Sequence, residues 1–544
     1  MFKLKFIIIL MISSLLFSCE PPKQADILLY NGNINSVDES MTTYEAMAIS
    51  DGRIISLGSD HDILSAYVSE KKIDLEGKHV YPGFIDPHSH FMGYSNNFLR
   101  ADLTGSGSME EVVDRLRDHA SRVADEWIQG RGWDQNLWAD RQLPGNELLN
   151  KAFPDRPVYI IRVDGHAVVA NDKALDIANI DGSTQIDGGE IVTKNGKPTG
   201  LLIGRATNLV ASKIPSPSKE ETIRLIDEAQ QNLFSVGLTS VSDAGLDKDE
   251  VMLIDSLQKS NDLKIRIYAM LNPTEENFNT FVKEGVYATD MLSIRSIKLF
   301  ADGALGSRGA LLLEPYSDDK ENYGIRSEEP SYLKQVSKLA YDNGYQVNTH
   351  CIGDSAVRLM LNTYSKFLEP GNDHRWRIEH SQVVAPEDLA LFGEYNIIPS
   401  VQTIHAVSDM EWAPDRLGDR IKHAYPFRSL LDQTGWLANG SDFPVEPTNP
   451  LYGFHAAFTR QDSEGNPPDG FIPEEAITRE EALKAMTIWA AKANFEDHIK
   501  GSLEEGKVAD FVILKDNLLE VPAEEIYDLS IEKTFLNGEM VYSK

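Results

Sequence analysis

Two histidines separated by one residue, His88 and His90 in Tyr81-Pro-Gly-Phe-Ile-Asp-Pro-His-Ser-His90, close an apolar run that reads as a buried strand. In an extended chain residues i and i+2 point the same way, so both imidazoles can meet one metal ion. Imidazole is the commonest protein ligand for zinc, but a His-x-His pair alone is a weak signal. Other apolar runs of the chain end at Asp243, His350, His380 and Asp442. The sequence holds 13 histidines, and four of them fall at such ends, so chance placement is a poor account of the pattern. Three histidines and an aspartate meeting at one mouth would make a catalytic zinc site with room for water. Any one of these histidines alone could equally be a hydrogen-bonded core residue. Lys298 is the odd member, inside Ser296-Ile-Lys-Leu-Phe-Ala-Asp-Gly303. A buried unpaired ammonium is costly, so Lys298 either pairs with an acid, Asp302 being the near candidate, or is modified. Carbamylation by CO₂ would turn its amine into a carboxylate able to bridge two metals, and periodicity does not choose between these readings.

Such residues need strands that converge. Apolar runs alternating with helical stretches give eight candidate parallel strands: Gly83–His88, Gly237–Asp243, Lys264–Met270, Ser296–Asp302, Tyr345–His350, Arg375–His380, Ile397–Gln402 and Trp436–Asp442. Eight is the number a (β/α)₈ TIM barrel requires, with catalytic groups at the C-terminal strand ends. The expected fold is therefore α/β, with the barrel over residues 82–496. A long insertion after barrel strand 1, about residues 92–233, carries its own strand-like runs (Trp127–Gly132, Val158–Val163) and is expected to cover one face as a lobe. Short alternating runs with Asn31-Gly32 and Asp51-Gly52 turn signals occupy 25–81, and the same style returns in 497–544. Together these ends predict one composite β-sandwich domain, because either alone has few strands to bury a core.

At 544 residues the chain exceeds one ordinary core, and a net charge of −32 would repel phosphates, which excludes nucleic acid as an expected partner. Lys3 and Lys5 precede a short apolar run, Phe6 to Phe17, that ends Leu16-Phe17-Ser18-Cys19. This resembles a bacterial lipoprotein signal, with residues 1–18 removed, Cys19 carrying the lipid and 19–24 forming a tether. The implied address is the bacterial cell envelope, anchored to a membrane and facing the periplasm; a plain signal peptide or uncleaved anchor is the alternative. Cys351 is the only other cysteine, so the mature chain has no internal disulfide to form.

Five ordered blocks carry a family resemblance: Pro82-Gly-Phe-Ile-Asp-Pro-His-Ser-His90, Lys298-Leu-Phe-Ala-Asp-Gly303, His350-Cys-Ile-Gly-Asp354, Arg377-Ile-Glu-His-Ser-Gln382 and Gly440-Ser-Asp-Phe-Pro444. They resemble the amidohydrolase superfamily, and within it the amidohydrolase 3 branch that includes N-substituted formamide deformylases. The resemblance implies one or two divalent ions, most simply zinc, held by His88, His90, Lys298 (carbamylated in the binuclear members), His350, His380 and Asp442. It implies hydrolysis of a carbon–nitrogen bond in a small amide, with Asp442 shuttling the proton. Asp243 lies outside that ligand pattern and is expected to be structural. Substrate contacts are expected from Trp133 as an apolar wall and from His166, which the resemblance also places near the pocket. Ser307, Arg308 and His405 follow strands four and seven and complete the set. A cyclic imidase, a dipeptidase, an N-acyl-amino-acid deacylase or a non-catalytic lipid-anchored binding protein remain as alternatives, and assembly into a homo-oligomer is left open.

Overall fold

The computed structural model describes residues 21–122 and 126–544, so the proposed lipidation at Cys19 lies outside the described residues. Eight parallel strands form the central sheet: β1 (Phe84–Ser89), β2 (Leu238–Leu246), β3 (Arg266–Leu271), β4 (Leu292–Phe300), β5 (Gln346–Cys351), β6 (Arg377–His380), β7 (Ile398–Val401) and β8 (Ala438–Asn439). They pair in chain order, as a TIM-barrel-like α/β fold demands. Nearly every residue of these strands is buried, the apolar ones such as Val241, Ile267, Ile297 and Val347 in the main core, and the polar ones such as Asp86, Asp243, Lys298 and Arg377 held out of water alongside them.

The barrel closes beyond β8 rather than along it. Asp442 N–H donates to His88 O and His90 N–H to Phe443 O, each at 2.8 Å, so the segment after β8 hydrogen-bonds to the end of β1. Gly440 permits this approach. A Cβ there would lie 2.6 Å from Asp86 Oδ1 and 2.9 Å from His88 N, closer than real Cβ contacts allow. The expected strand Trp436–Asp442 is thus cut to two residues of regular ladder, because the chain must bend where it meets β1. The expected Ser296–Asp302 also shifts, ending at Phe300, with Asp302 already in the loop.

Residues 101–204 form a separate six-stranded sheet, in the order Ala101–Asp102, Ile128–Trp133, Val158–Arg162, Ala167–Ala170, Lys197–Gly204, Gly189–Lys194. Alternation of side chains along Val158–Arg162 feeds two apolar clusters, Val158 and Ile160 on one face, Tyr159 and Ile161 on the other. The helix Lys219–Ser235 buries Ile226, Ala229 and Leu233 in the barrel's own core, so the lobe ends before it.

A second six-stranded sheet runs Glu539–Ser543, Lys533–Leu536, Phe511–Leu514, His79–Pro82, Asn33–Asn35, Thr43–Tyr44. Strands from both chain ends therefore lie side by side, with Val512 opposite Tyr81. A four-stranded sheet (Arg53–Gly58, Ala46–Ser50, Ile27–Tyr30, Lys71–Asp74) shares one buried cluster with it, where Leu29 and Met47 meet Val80, Phe511 and Phe535. Among the described residues no helix is long and apolar enough to cross a membrane.

Candidate metal centre

The C-terminal ends of β1, β6 and β8 bring His88, His380 and Asp442 together, with their ligand atoms all within 4.8 Å of one another and all three residues buried. His88 faces inward from β1 because it alternates with Pro87 and Ser89. His380 and Asp442 arrive differently. Both sit at strand exits with left-handed backbones, φ +73° and +60°, which aim side chains that simple alternation would misplace.

Hydrogen bonds orient the imidazoles. His88 Nδ1–H donates to Glu379 Oε2 at 2.6 Å, and His380 Nδ1–H donates to Gln402 Oε1 at 2.7 Å. Each bond sets the tautomer that leaves Nε2 as the electron-pair donor, the arrangement metal-binding histidines adopt. Burial opposes ionisation of Glu379, but His88, Arg377 and Lys298 outweigh it and hold the carboxyl down at about 2. Burial, with the neighbouring imidazoles and Lys298 adding to it, keeps His350 and His380 well below the usual histidine range, and so neutral. For Asp442, burial pushes upward, yet the close approach of His88 and His90 outweighs it and holds the carboxyl well below the usual carboxylate range.

The fit to a metal ion rests on one oxygen. Asp442 Oδ1 is buried, and His90 Nε2 at 3.2 Å and His88 Nε2 at 3.5 Å approach it without hydrogen-bonding geometry, leaving it unsatisfied. A buried carboxylate oxygen without a donor costs several kcal/mol unless a cation stands beside it. Two imidazole nitrogens and a carboxylate oxygen are the donor set of a catalytic divalent site with positions left open.

His90 and His350 adjoin this trio. The His350 ring centroid is 4.5 Å from that of His380 and 5.0 Å from that of His166. His90 lies past the end of β1 and is one-third exposed, the only expected ligand that reaches solvent to this degree. Lys298 is buried on β4 with Nζ 3.0 Å from His88 Nε2. The suggested pairing with Asp302 does not form. Asp302 instead accepts the backbone N–H groups of Leu311, Ile352 and Gly353 at 2.8–3.0 Å, pinning the loops after β4 and β5. Burial therefore acts on Lys298 without a carboxylate at salt-bridge distance among the described residues, and its pKa falls.

A cleft of about 430 Å³ opens above the trio, walled by His166, His350, His380, His405, Trp412 and Asp442. Of the residues expected to bind substrate, His166 and His405 line it. Three do not. Trp133 is fully buried in the lobe, where Nε1–H donates to Ile160 O at 3.2 Å and the ring packs 6.0 Å from Trp138. Trp133→Ala is expected to destabilise the lobe by about 3–5 kcal/mol, read as an earlier unfolding transition with no substrate-selective rise in KM. Ser307 is buried and turned to the Ala304 carbonyl and Asp164. Arg308 pairs with Asp318 at 2.8 Å, on the outer side of its loop. Asp243 behaves as expected, accepting Met92 N–H at 2.9 Å to hold the turn after β1.

From sequence alone no role falls to Glu379, inside the block Arg377-Ile-Glu-His-Ser-Gln382, or to Gln402, at the end of the expected strand Ile397–Gln402. The trace was there for Glu379: an acid directly before His380, inside a strand, must find a buried partner. Replacing Glu379 with Gln is expected to weaken metal affinity by about 10–100-fold; a competition titration against a chromophoric chelator measures it, and unchanged affinity would remove Glu379 from this role.

A model of the amidohydrolase family matches residues 71–542. The chain is 33% identical over 555 aligned positions to Protein LONG AFTER FAR-RED 3 of Arabidopsis thaliana, covering 97% of this chain and 94% of the relative. It is 24% identical to the N-substituted formamide deformylase of Arthrobacter pascens, covering 95% and 98%. Among solved structures, a metal-dependent hydrolase from Pyrococcus horikoshii aligns over 91% of this chain and 99% of its own, with 28% identity and a TM-score of 0.74.

Proposed function

From the premise that the chain belongs to the amidohydrolase family, and is similar to an N-substituted formamide deformylase and to a metal-dependent hydrolase, we propose that it cleaves a non-peptide carbon–nitrogen bond in a small amide of the N-formyl or N-acyl type. The observation that carries this reading is the convergence of His88, His380 and Asp442 beside the cleft, which His380 and Asp442 line, with Asp442 Oδ1 buried and unsatisfied. The deformylase relative supports the bond type.

The donor set suits zinc, as one ion on His88, His380 and Asp442 or two shared with His90, His350 and a carbamylated Lys298. A divalent ion bound there would acidify water toward neutral pH and polarise a carbonyl. The chain does the rest. Asp442, whose carboxyl is held well below the usual carboxylate range, takes a proton from the attacking water as general base. It then returns that proton to the nitrogen as the carbon–nitrogen bond breaks, leaving a carboxylic acid and an amine. His166, on the cleft wall beside His350, is placed to donate to the substrate carbonyl oxygen.

Assay of the purified protein against N-formyl amines, N-acetyl amines and cyclic imides tests the assignment. Turnover of the first two groups is expected; hydrolysis confined to cyclic imides overturns it. For location, we propose a membrane anchor on lipidated Cys19, supported by the run that ends Leu16-Phe17-Ser18-Cys19. Cys19→Ser is then expected to leave the membrane fraction, and its retention there argues for an uncleaved span.

A further inference from the structure

The far wall of the cleft is more acidic than the proposed chemistry requires. Asp134, Asp164, Asp409 and Glu446 line it, and Arg162 is the single lysine or arginine among its described lining residues. Arg162 is already spent. It pairs with Asp134 and with Asp164 at 2.6 Å, and donates to Gln135 Oε1 at 2.8 Å.

Asp409 and Glu446 have no such cation. Gln382 Nε2–H and the Tyr425 hydroxyl donate to Asp409 Oδ2 at 3.0 and 2.8 Å, and the Ser408 hydroxyl donates to Glu446 Oε1 at 2.6 Å. Among the described residues neither has an arginine or lysine within salt-bridge distance. Burial, with nearby carboxylates adding to it, pushes Glu446 up to about 7 and Asp409 well above the usual carboxylate range, against the weaker pull of Ser408 on the first and of Tyr425 and Arg162 on the second.

A second feature points the same way. His405 is about nine-tenths buried, and its Nε2 has no hydrogen-bond partner although it lies 4.0 Å from Glu446 Oε1. The His405 ring stacks on the metal-centre residue His380, with centroids 6.2 Å apart. An unmet ring nitrogen and an unpaired carboxylate thus face the cleft together, one ring removed from the metal centre.

We propose that Glu446, His405 and Asp409 form a subsite for a protonated amine, so that the preferred substrate is an amide carrying an ammonium group away from the bond that is cut. An ammonium has three donors and no acceptor, which suits carboxyl oxygens and a ring nitrogen, and its positive charge beside Glu446 and Asp409 would favour their ionised forms. In a cleft shielded from water this pairing gains more than at a surface. An anionic substrate would instead meet Asp134, Asp164, Asp409 and Glu446 at close range.

The inference rests on the hydrolase reading, and its test separates the two. N-formyl-1,4-diaminobutane and N-formylpentylamine differ only in exchanging a terminal ammonium for a methyl group. The wild-type protein is expected to show at least about tenfold higher kcat/KM for the diamine derivative, a modest share of a charge-assisted bond. Glu446→Gln should bring the ratio close to one. Equal values in the wild type, or a ratio unchanged in Glu446→Gln, overturns the subsite. If neither compound is hydrolysed, the N-formyl assignment fails, and calorimetric binding of the same pair decides the subsite: tighter binding of the cation, lost in Glu446→Gln, supports it, and equal binding overturns it.

Discussion

Asp442→Asn is expected to lower kcat by about 10²–10⁴-fold, the range that positioned general acid–base groups contribute. The amide keeps the shape of the side chain and its left-handed backbone, but it neither accepts the proton of the attacking water nor carries charge toward an ion. The loss should appear in kcat rather than KM, because proton transfer belongs to the transition state. The same substitution removes one of three converging donors, so a chelator competition should report weaker metal binding in parallel. Full activity in Asp442→Asn would sink the proton shuttle.

Dialysis against a strong chelator should remove nearly all activity, by about 10³-fold, since Lewis-acid stabilisation is worth several kcal/mol and each 1.4 kcal/mol is about tenfold. Zinc should restore it. The metal-free protein should also unfold at lower temperature, because an ion that binds only the native state stabilises it by mass action. That second readout is independent of substrate choice. Activity and melting point both indifferent to chelation would remove the metal from the mechanism, whatever the protein cleaves.

The two expectations differ in how early they could be reached. The metal donors are legible because strand ends leave marks in a chain: an apolar run, then a histidine or aspartate where the backbone meets the barrel mouth. His88 obeys simple alternation and needs nothing else. His380 and Asp442 also end apolar runs, but left-handed turns at φ +73° and +60° re-aim them, which alternation along the run does not encode. The substrate wall is less legible: Trp133, Ser307 and Arg308 stand out by residue type and by nearness to strand ends, yet each has a local partner that turns it away from the cleft. Glu446 and Asp409 offered no sequence signal at all, being two acids in a chain with 84 of them.

What the sequence determined by itself was local and ordered: eight parallel strands, β-rich ends, a long insertion after the first barrel strand, and His88, His380 and Asp442 as candidate donors. These follow from hydrophobic periodicity and from residues at run ends, which depend on near neighbours. Tertiary structure alone decided which groups complete the centre and which face the substrate. Glu379 reaches His88 across 291 positions of chain, and Arg162 is claimed by Asp134 and Asp164 before any ligand arrives. Such choices are contests among buried polar groups for a limited set of partners. Their outcome is settled by distance and burial in the folded chain, which periodicity along a sequence does not encode.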